Sequence, residues 1–341
     1  VKNWSEAPVR SNVRAILEGA FMSAIFLVLF FVAFYTPLSV VAAFALPVPF
    51  SIYGYRHDTR MGVLTVLVAA ILSFIFTSFP GLLISLPAAV MGLVMGIAYR
   101  KQKSARYVLV LGMVTQLAFI FVSIGIVLAI TQTNPVNDMI EGMGKLSNQM
   151  LTEMQGQVDH SIKQLPPEQQ NGIQGKQLAR VKESLESMKV QLPVLISAIL
   201  PGLLISSSLL AALINHGLFR KVLQRMGTQI QALPALHNLR FPRSILYYYL
   251  IVLFLFMIPE LHTYRFLYTV VLNVMIVLQL LFAVQALGFV AYWIHKRNVS
   301  KGLLILAVIL FLIPPFTYIL LLIGVLDVGF NLRNRFFNNR S

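Results

Sequence analysis

The chain has 341 residues, of which 57% are hydrophobic and only 11% are charged, against roughly 25% charged in ordinary soluble domains. So few charged side chains cannot solvate a soluble surface, and the apolar residues come in long runs; a soluble enzyme, a nucleic-acid-binding module and a disordered chain are excluded as readings of the whole. The net charge of +15 is accounted for by basic residues flanking apolar spans, and the lack of cysteine removes disulfides, thiolate metal sites and cysteine nucleophiles.

An apolar run of about 20 residues crosses hydrocarbon as a helix, because only a helix satisfies its own backbone groups there. The pattern predicts an all-α polytopic transmembrane bundle of eight or nine spans. The first runs from Ile16 to Tyr35 and exceeds the ~7 to 15 residues of a signal-peptide core, so it is expected to remain as an anchor. The second, Leu38 to Tyr53, is weakened by Pro47 and Pro49, which remove backbone donors. Gly62 to Phe79, Gly81 to Tyr99 and Tyr107 to Thr131 follow, completing a five-span bundle over residues 1–131.

Residues 132–191 are polar, and their apolar side chains recur at helical spacing. One stripe runs through Met139, Met143, Leu146, Met150, Met154, Val158, Ile162 and Leu165; another runs through Leu178, Val181, Leu185, Met188 and Leu192. Pro166 and Pro167 mark a turn between them, which predicts an extracytoplasmic helical hairpin. The two stripes are expected either to pack on each other or to face a partner, as a methionine-rich surface can.

A sixth span is expected over residues 192–215, then a basic interfacial helix and loop over residues 216–243. There Leu218, Phe219, Val222, Leu223, Met226 and Ile230 oppose Arg220, Lys221 and Arg225, a pattern suited to anionic headgroups. Residues 244–341 carry the last spans, Ser244 to Ile258, Phe266 to Ile294 and Gly302 to Val328, and a basic tail. Basic residues collect in alternate connections, which places the amino terminus in the cytoplasm. Nine spans would leave the tail outside, although Arg333, Arg335 and Arg340 favour the inside; Pro314 and Pro315 offer a way out if the last span is not a simple rod.

Catalytic patterns are missing. Gly172 to Lys176 has the wrong glycine spacing for a phosphate loop, the six histidines lack metal-ligand spacing, and there is no Gly-x-Ser-x-Gly elbow. No enzyme, cofactor or metal is expected. Polar groups inside hydrocarbon are costly, so the intramembrane amides Gln116, Asn273, Gln279 and Gln285 are candidates for interhelical hydrogen bonds or a cavity lining. Arg14 and Glu18 are spaced as an i, i+4 pair, and Asp327 is placed to meet Arg333 or Arg335. Small residues repeat at four-residue steps, Ala20 and Ala24 on the first span and Ala88, Gly92 and Gly96 on the fourth, which allows close helix approach.

Three stretches together resemble the YybS-like family of bacterial multispanning membrane proteins. They are Arg14 to Ala20, the run from Leu46 to Phe50 continuing to Tyr55-Arg56-His57, and Gly324 to Asp327 followed by Arg333. That family is similar in fold to the S components of energy-coupling-factor transporters and to the rod-shape protein MreD. The resemblance implies an S-component-like bundle in the first six spans, with Ala20 and Ala24 matching the small-residue pair that contacts a membrane coupling subunit. It also implies a substrate-binding, transporter-like role for a small uncharged or vitamin-like ligand, or an MreD-like scaffold for envelope proteins. Beyond these candidates the lipid bilayer is the expected partner, and no nucleic acid is.

Overall fold

The computed structural model describes residues 7–170, 172–227, 233–300, 302–311 and 313–337. Ile230 and Arg340, used in the amphipathicity and charge readings above, lie outside them. The described residues form helices with no strand among them, and they divide into two compact units: Val1–Ser123 with Gly202–Ser341, and Ile124–Pro201.

Among the described residues five helices are long and apolar enough to cross a membrane: α1 (Ala7–Tyr35), α4 (Thr59–Arg100), α5 (Ala105–Thr131), α8 (Ile173–Arg225) and α10 (Arg265–Arg297). A sixth is added if α11 (Gly302–Phe311) and α12 (Pro314–Phe330), bent by 112°, count as one. The chain is a helical, multi-pass membrane protein, with fewer span-length helices than the eight or nine expected.

Each shortfall has a physical cause. The second expected span is broken into α2 (Ser39–Ala45) and α3 (Pro47–Arg56), because Pro47 and Pro49 supply no N–H to the preceding turn. The span expected from Ser244 is α9 (Ser244–Phe256), whose 13 residues reach only about 20 Å at 1.5 Å each. Pro259 forces Ile258 into extended geometry, and the helix stops there. Pro314 acts in the same way on Ile313 between α11 and α12.

The third and fourth expected spans are the two arms of α4, which folds back on itself. Ser78, at φ 58 and ψ −147, interrupts the helical backbone in a region that costs a non-glycine residue about 1 to 3 kcal/mol. Pro80 then sits in the first turn of the second arm, where its missing donor is harmless. The fold-back is visible in packing: a Cβ on Gly62 would strike Leu93, and Val66, Ala69, Ala88 and Ala89 share one core cluster. At 1.5 Å per residue the arms, 59–77 and 79–100, measure about 28 and 33 Å.

Against the second arm lies α3. Side chains at Gly92 and Gly96 would run into the Pro47 and Ser51 carbonyls, and one at Gly54 into that of Leu93. In lipid, helices associate by packing rather than hydrophobic transfer, so backbones this close supply much of the adhesion. Phe26, Phe30 and Phe50 fill the space between α1 and this pair.

In the second half of this unit α12 runs parallel to α10. Gly324 packs on the Phe282 carbonyl, Asp327 meets Gln285, and Arg333 lies against Gly288 and the Tyr292 ring. Since α11 starts just beyond the end of α10, the bent pair returns the chain to the end from which it left. A left-handed residue, Asn331 (φ 53), turns the chain into α13 (Leu332–Phe337).

The 216–225 stretch is not a separate interfacial helix. It continues α8 without a break, and Phe219 and Leu223 are fully buried in the core with Met91, Met95 and Tyr99. The apolar side of this stretch finds protein rather than headgroups.

The other unit contains α6 (Pro135–Gln164), capped by the Asn134 side chain, the single turn α7 (Pro167–Gln170) and the beginning of α8. Its seam is one residue away from the expected stripe. Gly144, Leu151 and Gln155 of α6 are buried, with Leu185 of α8, while Met139, Met143, Leu146, Met150 and Met154 are exposed. The reason is polar: Gln155 donates to Glu186 (2.6 Å) and accepts from Lys189 (2.6 Å), and Lys182 pairs with Asp159 (2.7 Å). Those cross-helix bonds require the Gln155 row to face inward.

Candidate functional site

Four of the singled-out polar residues converge at one end of the larger unit. Glu18 accepts from Arg14 Nε (2.9 Å) and Arg56 (3.1 Å) and bonds His57 Nε2 (2.8 Å). Arg14 reaches it along one turn of α1; Arg56 ends α3 and His57 caps it. Two contacts hold the helices at the right spacing: the Tyr53 hydroxyl donates to the Ala15 carbonyl (3.0 Å), and Gly19 has room for no side chain beside Thr65 and Tyr53. Arg100, at the end of α4, donates to the His57 carbonyl. The cluster ties α1 to the ends of α3 and α4 through the two oxygens of Glu18.

A second cluster is drier. The side chains of Arg333 and Asp327 are 0% and 2% exposed and pair at 2.9 Å. Gln285 donates to Asp327 (2.6 Å) while accepting from the Phe241 backbone (3.1 Å), and Arg333 Nη1 donates to the His237 carbonyl (2.8 Å). Of the two possible partners for Asp327, the structure selects Arg333; Arg335 lies over the Phe330 ring. A buried pair offsets its desolvation only when its other valences are satisfied. Here Gln285 and the His237 carbonyl do so, apart from Arg333 Nη2, which has no partner among the described residues. The adjoining cavity of about 120 Å³, beside Arg240, Arg243 and Asn331, is below the ~300 Å³ at which small-molecule pockets begin.

The intramembrane amides do not form one site. Asn273 accepts from the Gly202 backbone and donates to Thr269, Gln285 belongs to the Asp327 cluster, Gln279 is half-buried, and Gln116 Oε1 is buried without a partner among the described residues. Sequence reasoning missed three buried contacts: the Asn215 amide donates to Ser51 (3.0 Å) and to the Met95 sulfur (3.2 Å), and the Tyr99 hydroxyl meets His216 Nδ1. Asn215 and His216 stand side by side at a span end, where a polar pair reads as solvated; the continuation of α8 buries them instead. Among the small residues, Ala88, Gly92 and Gly96 serve the α3–α4 packing, while Ala20 and Ala24 face outward and are exposed.

A further concavity has a different character. A cavity of about 370 Å³ lies between α1, α3 and the end of α8. Met22, Ile25 and Leu29 line it from α1, and Val48 and Ile52 from α3. From α8 come Leu218 and Val222, with Lys221 and Arg225 on the same stripe. The volume falls within the ~300 to 1,000 Å³ of ordinary ligand sites, and such sites are mostly apolar with a few placed polar groups. Its walls offer a long apolar contact and two cations, with no carboxylate. Among the described residues no three His, Asp or Glu side chains gather in a way that could hold a metal.

Comparison with known proteins gives the family. Residues 24–328 match the family described as "Predicted membrane protein (DUF2232)". The chain is 27% identical over 335 residues to "Uncharacterized protein YybS" of Bacillus subtilis strain 168, covering 95% of this chain and 99% of that one. No solved structure matches. With nearly the whole bundle matched, from the middle of α1 to the end of α12, the chain belongs to the DUF2232 family of membrane proteins, to which the YybS resemblance had pointed.

Proposed function

We propose that this protein is a ligand-binding, transporter-like subunit of the bacterial cell membrane, without an enzymatic activity or engine of its own. The observation that carries the reading is the ligand-sized cavity between α1, α3 and α8. In this reading α1, the kinked α2–α3 pair, the two arms of α4, α5 and the later part of α8 are six crossing segments, the number in S components. Then α9, too short alone but carried on by the residues up to the 3-10 turn Pro259–Thr263, and α10 add two more, and the bent α11–α12 pair enters and leaves on one side. Eight crossings put both termini in the cytoplasm, which agrees with the positive charges of Arg333 and Arg335. The hairpin of α6 and α8 is then extracytoplasmic, and the exposed Ala20–Ala24 face of α1 is the docking surface for a coupling subunit.

Native mass spectrometry of detergent-purified protein tests the reading. A retained small molecule or lipid supports it, and the absence of any bound molecule overturns it. Ala20→Trp with Ala24→Trp is expected to abolish co-purification of a membrane partner while leaving the bound molecule in place; unchanged association removes the docking role. An MreD-like scaffold is the second reading, favoured by the exposed row Met139, Met143, Leu146, Met150 and Met154. It calls for retained protein partners and an empty cavity.

A further inference from the structure

The apolar part of the cavity wall carries no hydrogen-bonding side chain. Met22, Ile25 and Leu29 form one stripe of α1, Val48 and Ile52 one side of α3, and Leu218 and Val222 one turn of α8. A sugar, nucleoside or polar heterocycle seated there would lose its hydrogen bonds to water and gain none. The polar groups stand together at one mouth: Lys221 and Arg225 are one helical turn apart on α8. Neither forms a salt bridge among the described residues. Glu18, one turn before Met22 on α1, is the nearest acid along that helix, and its oxygens are taken by Arg14, Arg56 and His57. The mouth therefore keeps its positive charge. It lies at the helix ends that also carry Arg56 and Arg100, the level expected for headgroups of one leaflet.

We infer that this cavity is a binding site for an anionic lipid, taking one hydrocarbon chain between α1, α3 and α8 and its acidic headgroup on Lys221 and Arg225. The inference rests on the ligand-binding reading above and names its ligand class, replacing the uncharged or vitamin-like ligand implied by the resemblance. A chain needs no polar partner in the wall, and a phosphate or carboxylate at the mouth satisfies both cations. The remainder of a two-chain lipid stays in the bilayer beside the cleft.

The test is competitive native mass spectrometry on the full chain, with phosphatidylglycerol and phosphatidylcholine of identical chains. Two headgroup-level cations give an expected preference for phosphatidylglycerol of roughly 10- to 30-fold. Lys221→Gln with Arg225→Gln, both at exposed positions, is expected to bring it to within about twofold. Val48→Trp, which fills the apolar end two turns of α3 away from Arg56, is expected to lower retention of both lipids. Raising the ionic strength offers a check without any substitution, since the preference of the unaltered protein should shrink as the mouth is screened. Equal retention of the two lipids, or a preference that survives the charge substitutions, overturns the inference. If a water-soluble molecule is retained without lipid preference, the lipid assignment falls and the ligand-binding reading stands. If nothing is retained, both fall.

Discussion

Glu18 and Asp327 each gather basic groups where helices end, yet Glu18 keeps 20% of its side chain exposed and has Arg14, Arg56 and His57 around it, whereas Asp327 keeps 2% and has Arg333 as its salt-bridge partner. The difference lies in how far each cluster depends on a single atom. Around Glu18 the arginines and the imidazole can each turn to water if the carboxylate is lost. Arg333 is sealed among α10, α12 and the His237 turn and has nowhere to turn. An accessible cluster is redundant, and a buried one is conditional on every member.

The strongest way to break the comparison is Asp327→Asn. It leaves a buried guanidinium without its counterion and is expected to cost about 3 to 5 kcal/mol, read as a large drop in the thermal midpoint of the purified protein. Replacing both charges, Asp327→Leu with Arg333→Leu, should recover most of that loss, because apolar pairs often substitute for buried ion pairs. A double variant no better than the single one would mean that the pair itself, and not an orphaned charge, holds α12 to α10.

Glu18→Gln is expected to cost about 1 kcal/mol, with the cost shrinking as salt is added. A loss comparable to that of Asp327→Asn would show the Glu18 cluster to be as dry as the other. The smallest effect belongs to a third carboxylate in full contact with water. Glu141, on α6, is held below the ordinary glutamate value of 4.5 by the Lys145 side chain, which bonds it at 2.7 Å. Its contribution is present above that value and lost as the pH falls through the lowered native one. A carboxyl NMR titration should place its midpoint below 4.5, and Lys145→Gln should move it back up.

Much of this was legible in the sequence where chemistry and spacing coincide locally. Arg14 and Glu18 are one turn apart and pair, and the Gly92 and Gly96 step, spaced for close approach, receives the α3 backbone. The proline pairs correctly announced breaks at Leu46 and Ile313 but not their consequence. Whether a broken span is two short helices or a returning pair depends on what receives each half. The hairpin seam was misread by one residue, since the Met139 and Gln155 rows are neighbours on the same helix. Hydrophobicity favours the first, and three cross-helix polar bonds favour the second. The Asn215 and His216 burial and the cavity mouth were hidden because α8 outruns its apolar stretch.

Composition and run length determined by themselves that lipid is the solvent for most of this chain and that helices are its structure. Those are additive properties of residue types, and no neighbour is needed to evaluate them. Which arginine meets Asp327, which face of α6 turns inward, and that two cations of α8 end beside an apolar cleft made by α1 and α3 were decided only by tertiary structure. Each depends on how far one helix is rotated against another, a variable set by contacts between residues far apart in the chain and absent from the periodicity of any single segment.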